Sequence, residues 1–330
     1  MSEIARELMN LPDGDGDAAS ELQTRIANVV RPSGALDRLD RAAIWLAEWQ
    51  RTSRPSVDAP AALIFAADHG VATAGVSAYP ASVTRAMVEA LRDGVATASV
   101  MAEAVGASLD VIDLGVGVPT GDIRTEPALD LDRFHECFRE GREAVKRLDG
   151  ADLLVVGEMG IGNTTAAAAV CCGLFGGPAA QWTGRGTGVD DERLAVKVRS
   201  VDTAVRRLGR VDPLEVLRQL GGAELVGMAG AVFEARFSRL PVVLDGFVAS
   251  AAAAALERLR PGALQHTVAG HRSAELGHRL LLQELDKEPL LDLGLRLGEA
   301  SGALAAVPIL RLAAVCATRV ATFQDRGIAG

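Results

Sequence analysis

Short apolar runs alternate along the chain with longer segments in which apolar residues recur every three or four positions. The short runs predict strands, and the periodic segments predict helices. The predicted strands cover 62–66, 108–114, 153–156, 241–244 and 264–268. The predicted helices between them cover 82–105, 139–148, a segment from Thr164, 192–208 and 251–259. This alternation is typical of an α/β fold, a parallel sheet flanked by helices.

The two ends of the chain read as helical. Residues 1–50 contain a periodic segment, 35–49, that follows the turn-forming Pro32-Ser33-Gly34. Residues 289–323 predict two helices around a glycine-rich corner. We therefore predict three segments, in which 1–58 and 286–330 form a small helical domain beside a Rossmann-like domain at 59–285.

Composition narrows the class of protein. Hydrophobic residues make up 49% of the 330 residues and aromatic residues only 4%, so Ala, Val and Leu must build the core. The net charge is −9, which argues against nucleic acid or an anionic membrane as a partner. The acidic N-terminus has no signal-peptide pattern, so we expect a cytoplasmic protein.

The cysteines and histidines give no sign of a metal site. Cys171 and Cys172 are adjacent in an apolar segment, and no CxxC pair occurs in the sequence. His266, His271 and His278 have a spacing that matches no common metal-binding pattern. We expect reduced thiols, no catalytic metal and no cofactor.

A glycine-rich turn, 157–165, stands between a predicted strand and a predicted helix. Its glycines allow close backbone approach, and Asn163 and Thr164 can cap the helix and face a phosphate. It is neither a P-loop nor a dinucleotide-binding motif, because no Lys follows and Thr165 holds the third glycine position. An anion site and an ordinary capped turn both remain open.

A second glycine-rich turn, 184–188, carries Arg185 and precedes Lys197. Two such cations can meet a phosphate or a carboxylate. The alternative is a surface loop before a helix, in which Asp190 and Asp191 favour the helix dipole. The segment alone does not decide between them.

Glu299 lies between Gly298 and Gly302 in an otherwise apolar stretch. Desolvation there would raise its pKa toward the working pH, as a general base requires, although a surface carboxylate is the commoner case. Glu158 has a similar setting. Two carboxylates beside a sugar are typical of glycosyl transfer.

Three other groups of residues receive weaker interpretations. Asp68-His69 follows the first strand, and we favour a ribose-binding Asp or a structural His over a catalytic pair. Ser273 is a candidate phosphate ligand beside Arg272. Arg296 is expected to pair with a carboxylate such as Asp292.

Taken in order, several of these segments resemble a known family across nearly the whole chain. They include FAADHGVATAGVSAYPASVTRAMV, GEMGIGNTTAAAA, GRGTGVDDERLAVK, LPVVLDGF, HRSAELGHR and LLDLGLRLGEASGAL. They are similar to nicotinate-nucleotide–dimethylbenzimidazole phosphoribosyltransferases. The resemblance implies a homodimeric pentosyltransferase with a Rossmann-like sheet and a small helical domain.

The implied reaction belongs to cobalamin biosynthesis. It moves phosphoribosyl from nicotinate mononucleotide to 5,6-dimethylbenzimidazole, giving α-ribazole 5′-phosphate and nicotinate. By resemblance, Glu299 is the general base and Glu158 a second active-site carboxylate. The implied donor-binding residues are Asn163, Thr164, Arg185, Gly186, Thr187, Lys197 and Ser273. The implied benzimidazole-binding residues are Ser77, Arg85, Met159, Gly160, Leu297 and Gly298.

Two departures from the family pattern affect the acceptor. Ala67 stands where the family usually has Gly, and 81–86 lacks the Gln that the family commonly carries. Arg85 or a neighbour then supplies the polar contact, and the acceptor is open to another benzimidazole, a purine or a phenol. Two functions of a different class also stay open: a nucleotide-binding subunit without turnover and, less favoured, an NAD-dependent dehydrogenase.

Overall fold

The computed structural model describes residues 2–327. Met1 and residues 328–330, which belong to the predicted terminal segments, lie outside the described residues. The strands are β1 (Pro60–Ala66), β2 (Ser108–Asp113), β3 (Leu153–Met159), β4 (Val242–Leu244) and β5 (Thr267–Ala269). The helices are α1 (Ser2–Leu8), α2 (Gly16–Ala27), α3 (Asp37–Gln50), α4 (Val83–Arg92), α5 (Thr97–Val105), α6 (Leu131–Lys146), α7 (Asn163–Phe175), α8 (Ala179–Trp182), α9 (Asp191–Leu208), α10 (Pro213–Leu220), α11 (Ala223–Phe237), α12 (Phe247–Leu259), α13 (Leu276–Glu284) and α14 (Ser301–Arg319).

The strands form one parallel sheet in the order β2-β1-β3-β4-β5. This is a doubly wound order, in which the chain moves outward from the middle in both directions. The α/β prediction is confirmed. Because all strands run the same way, the residues that follow β1, β3, β4 and β5 meet at one edge of the sheet.

Helices cover both faces of the sheet, so its central strands are buried throughout. Leu63, Phe65 and Val156 belong to one hydrophobic cluster, with residues of α6, α7, α11 and α12. Ile64 and Val155, which alternate with them, belong to a second cluster with residues of α3, α5 and α14. This alternation in a sheet buried on both sides is typical of parallel strands.

Small residues allow the helices to pack at backbone contact. A Cβ on Gly141 of α6 would lie 1.9 Å from the carbonyl oxygen of Gly227 in α11. A Cβ on Gly230 would lie 2.1 Å from the carbonyl oxygen of Phe138. The high alanine and glycine content therefore serves close approach between helices as well as burial.

Several predicted elements differ from the structure. The single helix predicted at 82–105 is two helices, because Gly94 adopts φ 76° between α4 and α5. The helix predicted at 139–148 begins at Leu131, where the Asp130 side chain accepts the Arg133 N–H at 2.8 Å. Helices α10, α11 and α13 were not predicted.

The prediction of two helices in 289–323 is wrong. One helix, α14, covers the second half, and the first half runs alongside the end of β5. Leu290 N–H donates to Ala269 O at 2.9 Å, and Arg272 N–H donates to Leu291 O at 2.7 Å. These bonds take the backbone groups that a helix would use.

Helices from the two chain ends pack together. Arg25 of α2 donates to the carbonyl oxygens of Thr318 and Val320 at 2.9 and 2.7 Å. Leu22, Leu46 and Leu310 share the cluster that covers one face of the sheet. The boundaries 1–58, 59–285 and 286–330 stay a prediction.

Within residues 2–327, only α14 is long and apolar enough to cross a membrane, a test of length and composition alone. It packs against α3, α5 and β3. Core helices of soluble proteins pass the same test.

Candidate active site

Glu158 is the penultimate residue of β3, and the glycine-rich turn begins just after it. Asn163, the first residue of α7, donates from its side-chain amide to Glu158 Oε2. Gly160 permits the turn, because a Cβ there would lie 2.8 Å from Ala67 O. Gly162 adopts φ 101°, a conformation that favours glycine. The turn thus places a carboxylate and a helix N-terminus side by side.

A loop before α14 brings Glu299 to the same place. Glu299 N–H donates to Glu158 O at 3.1 Å. A Cβ on Gly298 would lie 2.6 Å from Glu158 Oε1, and one on Gly157 would lie 2.3 Å from Ala300 N. Glu299 and Ala300 both adopt left-handed backbone, at φ 59° and 66°. The two candidate carboxylates, which are 141 positions apart, therefore become neighbours.

Burial and neighbouring charge shift both carboxylates in the same direction. Burial raises the pKa of Glu158 well above its usual range, and Asp245, Glu224 and Glu299 add to the shift. Burial also raises the pKa of Glu299, again with Asp245 adding to it. Glu299 is 5% exposed, and within residues 2–327 its Oε2 has no hydrogen-bond partner. Such an oxygen is suited to accept a proton.

A cleft opens at this edge of the sheet, over the ends of β3, β4 and β5. Its cavity volume is about 80 Å³. Among the predicted site residues, those that line it are Glu158, Met159, Gly160, Asn163, Thr164, Gly186, Thr187, Ser273, Leu297 and Gly298. Glu299 follows Gly298 and does not itself line the cleft.

A smaller cavity adjoins the cleft and shares the residues between them. Ser77, Arg185 and Lys197 line it, together with Gly160, Asn163, Thr164, Gly186 and Thr187. Arg85 lines neither space, since its guanidinium donates to Val116 O at 3.0 Å. The structure thus brings together every predicted site residue except Arg85, with Glu299 immediately behind the lining.

Lys197 of α9 gives the smaller cavity a buried cation. It is 1% exposed, and its Nζ donates to Thr164 Oγ1 at 2.9 Å in the first turn of α7. Burial lowers its pKa, and Glu275 acts in the opposite direction. An ammonium group, a hydroxyl and a helix N-terminus are an arrangement that favours a bound anion. Arg185 is more exposed and pairs with Asp191.

Eight lining residues of the cleft were not among the predicted site residues: Ile161, Asp245, Gly246, Phe247, Val248, His271, Glu275 and Arg296. Asp245 and His271 follow β4 and β5, and Arg296 stands near the mouth. Asp292, the carboxylate suggested for Arg296, pairs instead with Arg272 at 2.5 Å. The carboxylate on which Arg296 acts is that of Glu275. Asp245 and His271 had a detectable signal, since each comes just after an apolar run, where a parallel sheet binds ligands.

Asp68 and His69 lie outside the cleft lining, in structural contacts. His69 Nε2 bonds Glu224 Oε1, and both side chains are fully buried. Asp68 Oδ2 accepts the Gly117 N–H at 2.7 Å. These contacts favour the structural interpretation of His69 over a catalytic pair.

The remaining histidines have fixed partners as well. His278 Nδ1 accepts the Ser273 N–H at 2.9 Å, and burial lowers the His278 pKa to about 3. His266 Nε2 donates to Val232 O at 2.9 Å. In the described part of the chain, no group of three or more His, Cys, Asp or Glu side chains is arranged to hold a metal ion.

A cleft lined by buried carboxylates at the carboxyl edge of a doubly wound sheet is typical of α/β enzymes that bind small molecules. A family model described as phosphoribosyltransferase matches residues 11–328, and the chain belongs to this family. It is 48% identical over 328 residues to the nicotinate-nucleotide–dimethylbenzimidazole phosphoribosyltransferase of Ruegeria sp. (strain TM1040), covering 99% of this chain and 97% of that protein. The protein of the same name from Mesorhizobium japonicum is 47% identical over 330 residues, covering 99% and 98%.

A solved structure shows the same fold. The crystal structure of CobT from Thermus thermophilus matches with a TM-score of 0.91 and 40% identity, covering 95% of this chain and 99% of that one. The family resemblance seen in the sequence is confirmed.

Proposed function

We propose that this protein transfers phosphoribosyl from nicotinate mononucleotide to 5,6-dimethylbenzimidazole, giving α-ribazole 5′-phosphate and nicotinate in cobalamin biosynthesis. One observation carries the proposal. In a chain of this family, two buried carboxylates, Glu158 and Glu299, adjoin a cleft that also has an anion site. Relatives that bear this enzyme's name match nearly the whole chain.

The donor's phosphate is assigned to the anion site. Thr164 and the first turn of α7 offer a hydroxyl and N–H groups, and Lys197 supplies positive charge. The other donor contacts are assigned to Asn163, Gly186, Thr187 and Ser273, which line the cleft or the adjoining cavity. Arg296, with Nη1 3.5 Å from Gly186 O, is near enough to add a cation at the mouth.

The acceptor base is assigned to the apolar part of the lining. Met159 and Leu297 line the cleft beside Gly160 and Gly298, where a flat ring can lie against backbone. Ser77 lines the adjoining cavity. Arg85 is engaged with Val116 O, so the polar contact proposed for it requires a different rotamer.

In the proposed reaction the acceptor nitrogen attacks C1 of the ribose on the face opposite nicotinate. A bond forms between that nitrogen and C1, and the bond from C1 to the pyridinium nitrogen breaks, with its electron pair leaving on nicotinate. The acceptor N–H proton passes to Glu299, an effect worth roughly 10²–10⁴ in rate. Positioning of the two substrates supplies much of the remainder.

We also propose a homodimer in the cytoplasm. Membership of the family supports the dimer, and the four free cysteines, Cys137, Cys171, Cys172 and Cys316, fit a reducing compartment. Light scattering coupled to size-exclusion chromatography measures the mass. A mass of one chain would contradict the dimer.

The test of function is a product assay. The protein is incubated with nicotinate mononucleotide and an equimolar mixture of 5,6-dimethylbenzimidazole, another benzimidazole, a purine and a phenol, and products are identified by mass spectrometry. We expect α-ribazole 5′-phosphate as the main product. A different dominant product would change the acceptor and keep the transfer. Binding of nicotinate mononucleotide without nicotinate release would favour a non-catalytic, nucleotide-binding role.

A further inference from the structure

Asp245 is a buried carboxylate to which the proposed reaction gives no task. It follows β4, lines the cleft and is 1% exposed. Its Oδ1 accepts the Ala303 N–H at 2.9 Å, and the N–H groups of Ala300 and Gly302 also act on it. These donors belong to the first turn of α14, whose N-cap residue, Ala300, has no side chain that can cap. Asp245 therefore supplies the missing cap from another part of the chain.

The loop held by this cap carries Glu299. Glu299 and Ala300 both adopt the left-handed backbone conformation. Residues other than glycine adopt this conformation only where their surroundings enforce it. On one side, Glu299 N–H is bonded to Glu158 O. On the other side, the chain enters the helix turn that Asp245 caps. The position of Glu299 thus depends on attachments at both sides.

His271 packs beside Asp245. Its Nε2 lies 3.6 Å from Asp245 Oδ1. The ring packs so closely under α14 that a Cβ on Gly302 would lie 2.0 Å from His271 Cδ2. A Cβ on Gly246 would lie 3.2 Å from His271 Nε2. Asp245 is therefore confined between an imidazole and a helix N-terminus.

The charged groups around Glu299 come from separate elements. Glu158 faces it from β3 and Asp245 from the end of β4, while His271 faces Asp245 from the end of β5. Glu224 of α11 acts on Glu158. Burial raises the pKa of Asp245, while His271 and the helix N–H groups act in the opposite direction. The charge of Asp245 in turn raises the pKa of Glu299.

We infer that Asp245 is a positioning residue for the transfer: its carboxylate clamps the start of α14, which places Glu299, and it is a charged neighbour of that carboxylate. This inference rests on the proposed function, in which Glu299 is the base. The Asp245 side chain is inferred to have two effects, one through its position and one through its charge. A separate variant of Asp245 tests each effect.

The experiment compares Asp245→Asn with Asp245→Glu in the full-length protein. Asn keeps an oxygen for the Ala303 N–H and removes the charge. Because loss of a negative neighbour lowers the Glu299 pKa, the acidic limb of kcat against pH should move to lower pH. Glu keeps the charge and shifts the carboxylate, so the limb should stay and kcat should fall about 10- to 100-fold. The KM for nicotinate mononucleotide should change little in either variant.

Measurements on wild-type protein and on Glu299→Gln distinguish a failure of the proposed function from a failure of the role inferred for Asp245. If wild-type protein forms no nucleotide product, the proposed function fails. If it forms product and the limb is absent from the residual activity of Glu299→Gln, the limb belongs to Glu299. An unmoved limb in Asp245→Asn, or wild-type kcat in Asp245→Glu, then overturns the role of Asp245. Loss of the cooperative melting transition in both variants would make Asp245 a folding determinant instead and overturn it as well.

Discussion

The carboxylates at the two edges of the sheet differ in their surroundings. At the amino-terminal edge, Asp152 Oδ2 accepts N–H groups of Asp58 and Ala59 at 2.6 and 3.0 Å, although its buried Oδ1 has no partner among the described residues. At the carboxyl edge, Glu158 and Glu299 are buried next to each other and to Asp245, and Glu299 Oε2 has no partner among the described residues. Hydrogen-bonded charge at the first edge stabilises the chain entering the sheet. At the second edge the neighbouring carboxylates repel one another, which lowers the stability of the fold and raises the pKa of Glu158 and Glu299.

The difference follows from the direction of the strands. In a parallel sheet the helices that follow the strands begin at the carboxyl edge, where their N–H groups favour anions. Lys197 and the first turn of α7 show this arrangement. The two edges therefore predict different consequences of mutation, on rate at one and on stability at the other.

The largest effect is expected for Glu299→Gln. The change removes the proton acceptor and keeps the shape, so kcat should fall roughly 10²–10⁴-fold while nicotinate mononucleotide binds as before. Product formation by liquid chromatography and calorimetric binding give the two quantities. Glu103→Gln, on the exposed surface of α5, is the matched control. A kcat close to that of wild-type protein would remove Glu299 from the mechanism.

Lys197→Met tests the anion site. Met has a similar length and tolerates burial, but it has no charge to offer the phosphate. A hydrogen bond to a charged group contributes about 1.5–3 kcal/mol, so KM for the donor should rise about 10- to 100-fold, with a smaller change in kcat. Initial rates at varied nicotinate mononucleotide measure both, with the exposed Lys146→Met of α6 as control. An unchanged KM would move the phosphate elsewhere.

Asp152→Ala tests the amino-terminal edge. It removes the acceptor of two backbone N–H groups, so the free energy of unfolding should fall by about 1–3 kcal/mol. Turnover should not change, because Asp152 is at the edge opposite the cleft. Urea denaturation and the product assay measure the two effects, and Asp149→Ala, an exposed neighbour, is the control. Loss of activity in a folded protein would break the contrast between the edges.

The smallest expected effect is on stability, a gain in Glu158→Gln. Since burial raises the folded pKa above 4.5, the folded state holds the proton more tightly than the unfolded state, and ionisation destabilises the fold as pH rises. The variant and wild-type melting temperatures should be similar near pH 4.5 and diverge at higher pH, with the variant melting about 2–4 °C higher. Asn163 still finds an oxygen to bond. A variant that melts lower at neutral pH would show that the Glu158 carboxylate stabilises the site.

Much of the sheet was predictable, and much of its helical covering was not. All five strands were located, although the last, predicted at 264–268, lies at Thr267–Ala269. The buried strands β1, β3 and β4 are the clearest, because each is a short apolar run followed by polar or glycine residues. The helices in 213–237 were missed, although Pro213 stands at the first helical position of α10. Residues 290–295 read as helical but lie beside β5, since hydrogen bonds to Ala269, Arg272 and Ala274 outweigh local preference.

By itself, the sequence determined where the strands occur along the chain, where the glycine-rich turns lie, and that Glu158 and Glu299 are candidate carboxylates. These are local properties of apolar runs, turn residues and flanking glycines. Only the tertiary structure decided that Glu158 and Glu299 are neighbours, that Asp245 caps the helix after Glu299, and that Lys197 meets Thr164. The physical reason is that contacts between distant segments depend on the order of the strands within the sheet and on the left-handed loop at Glu299 and Ala300. Neither feature produces a periodic pattern of apolar residues in the sequence.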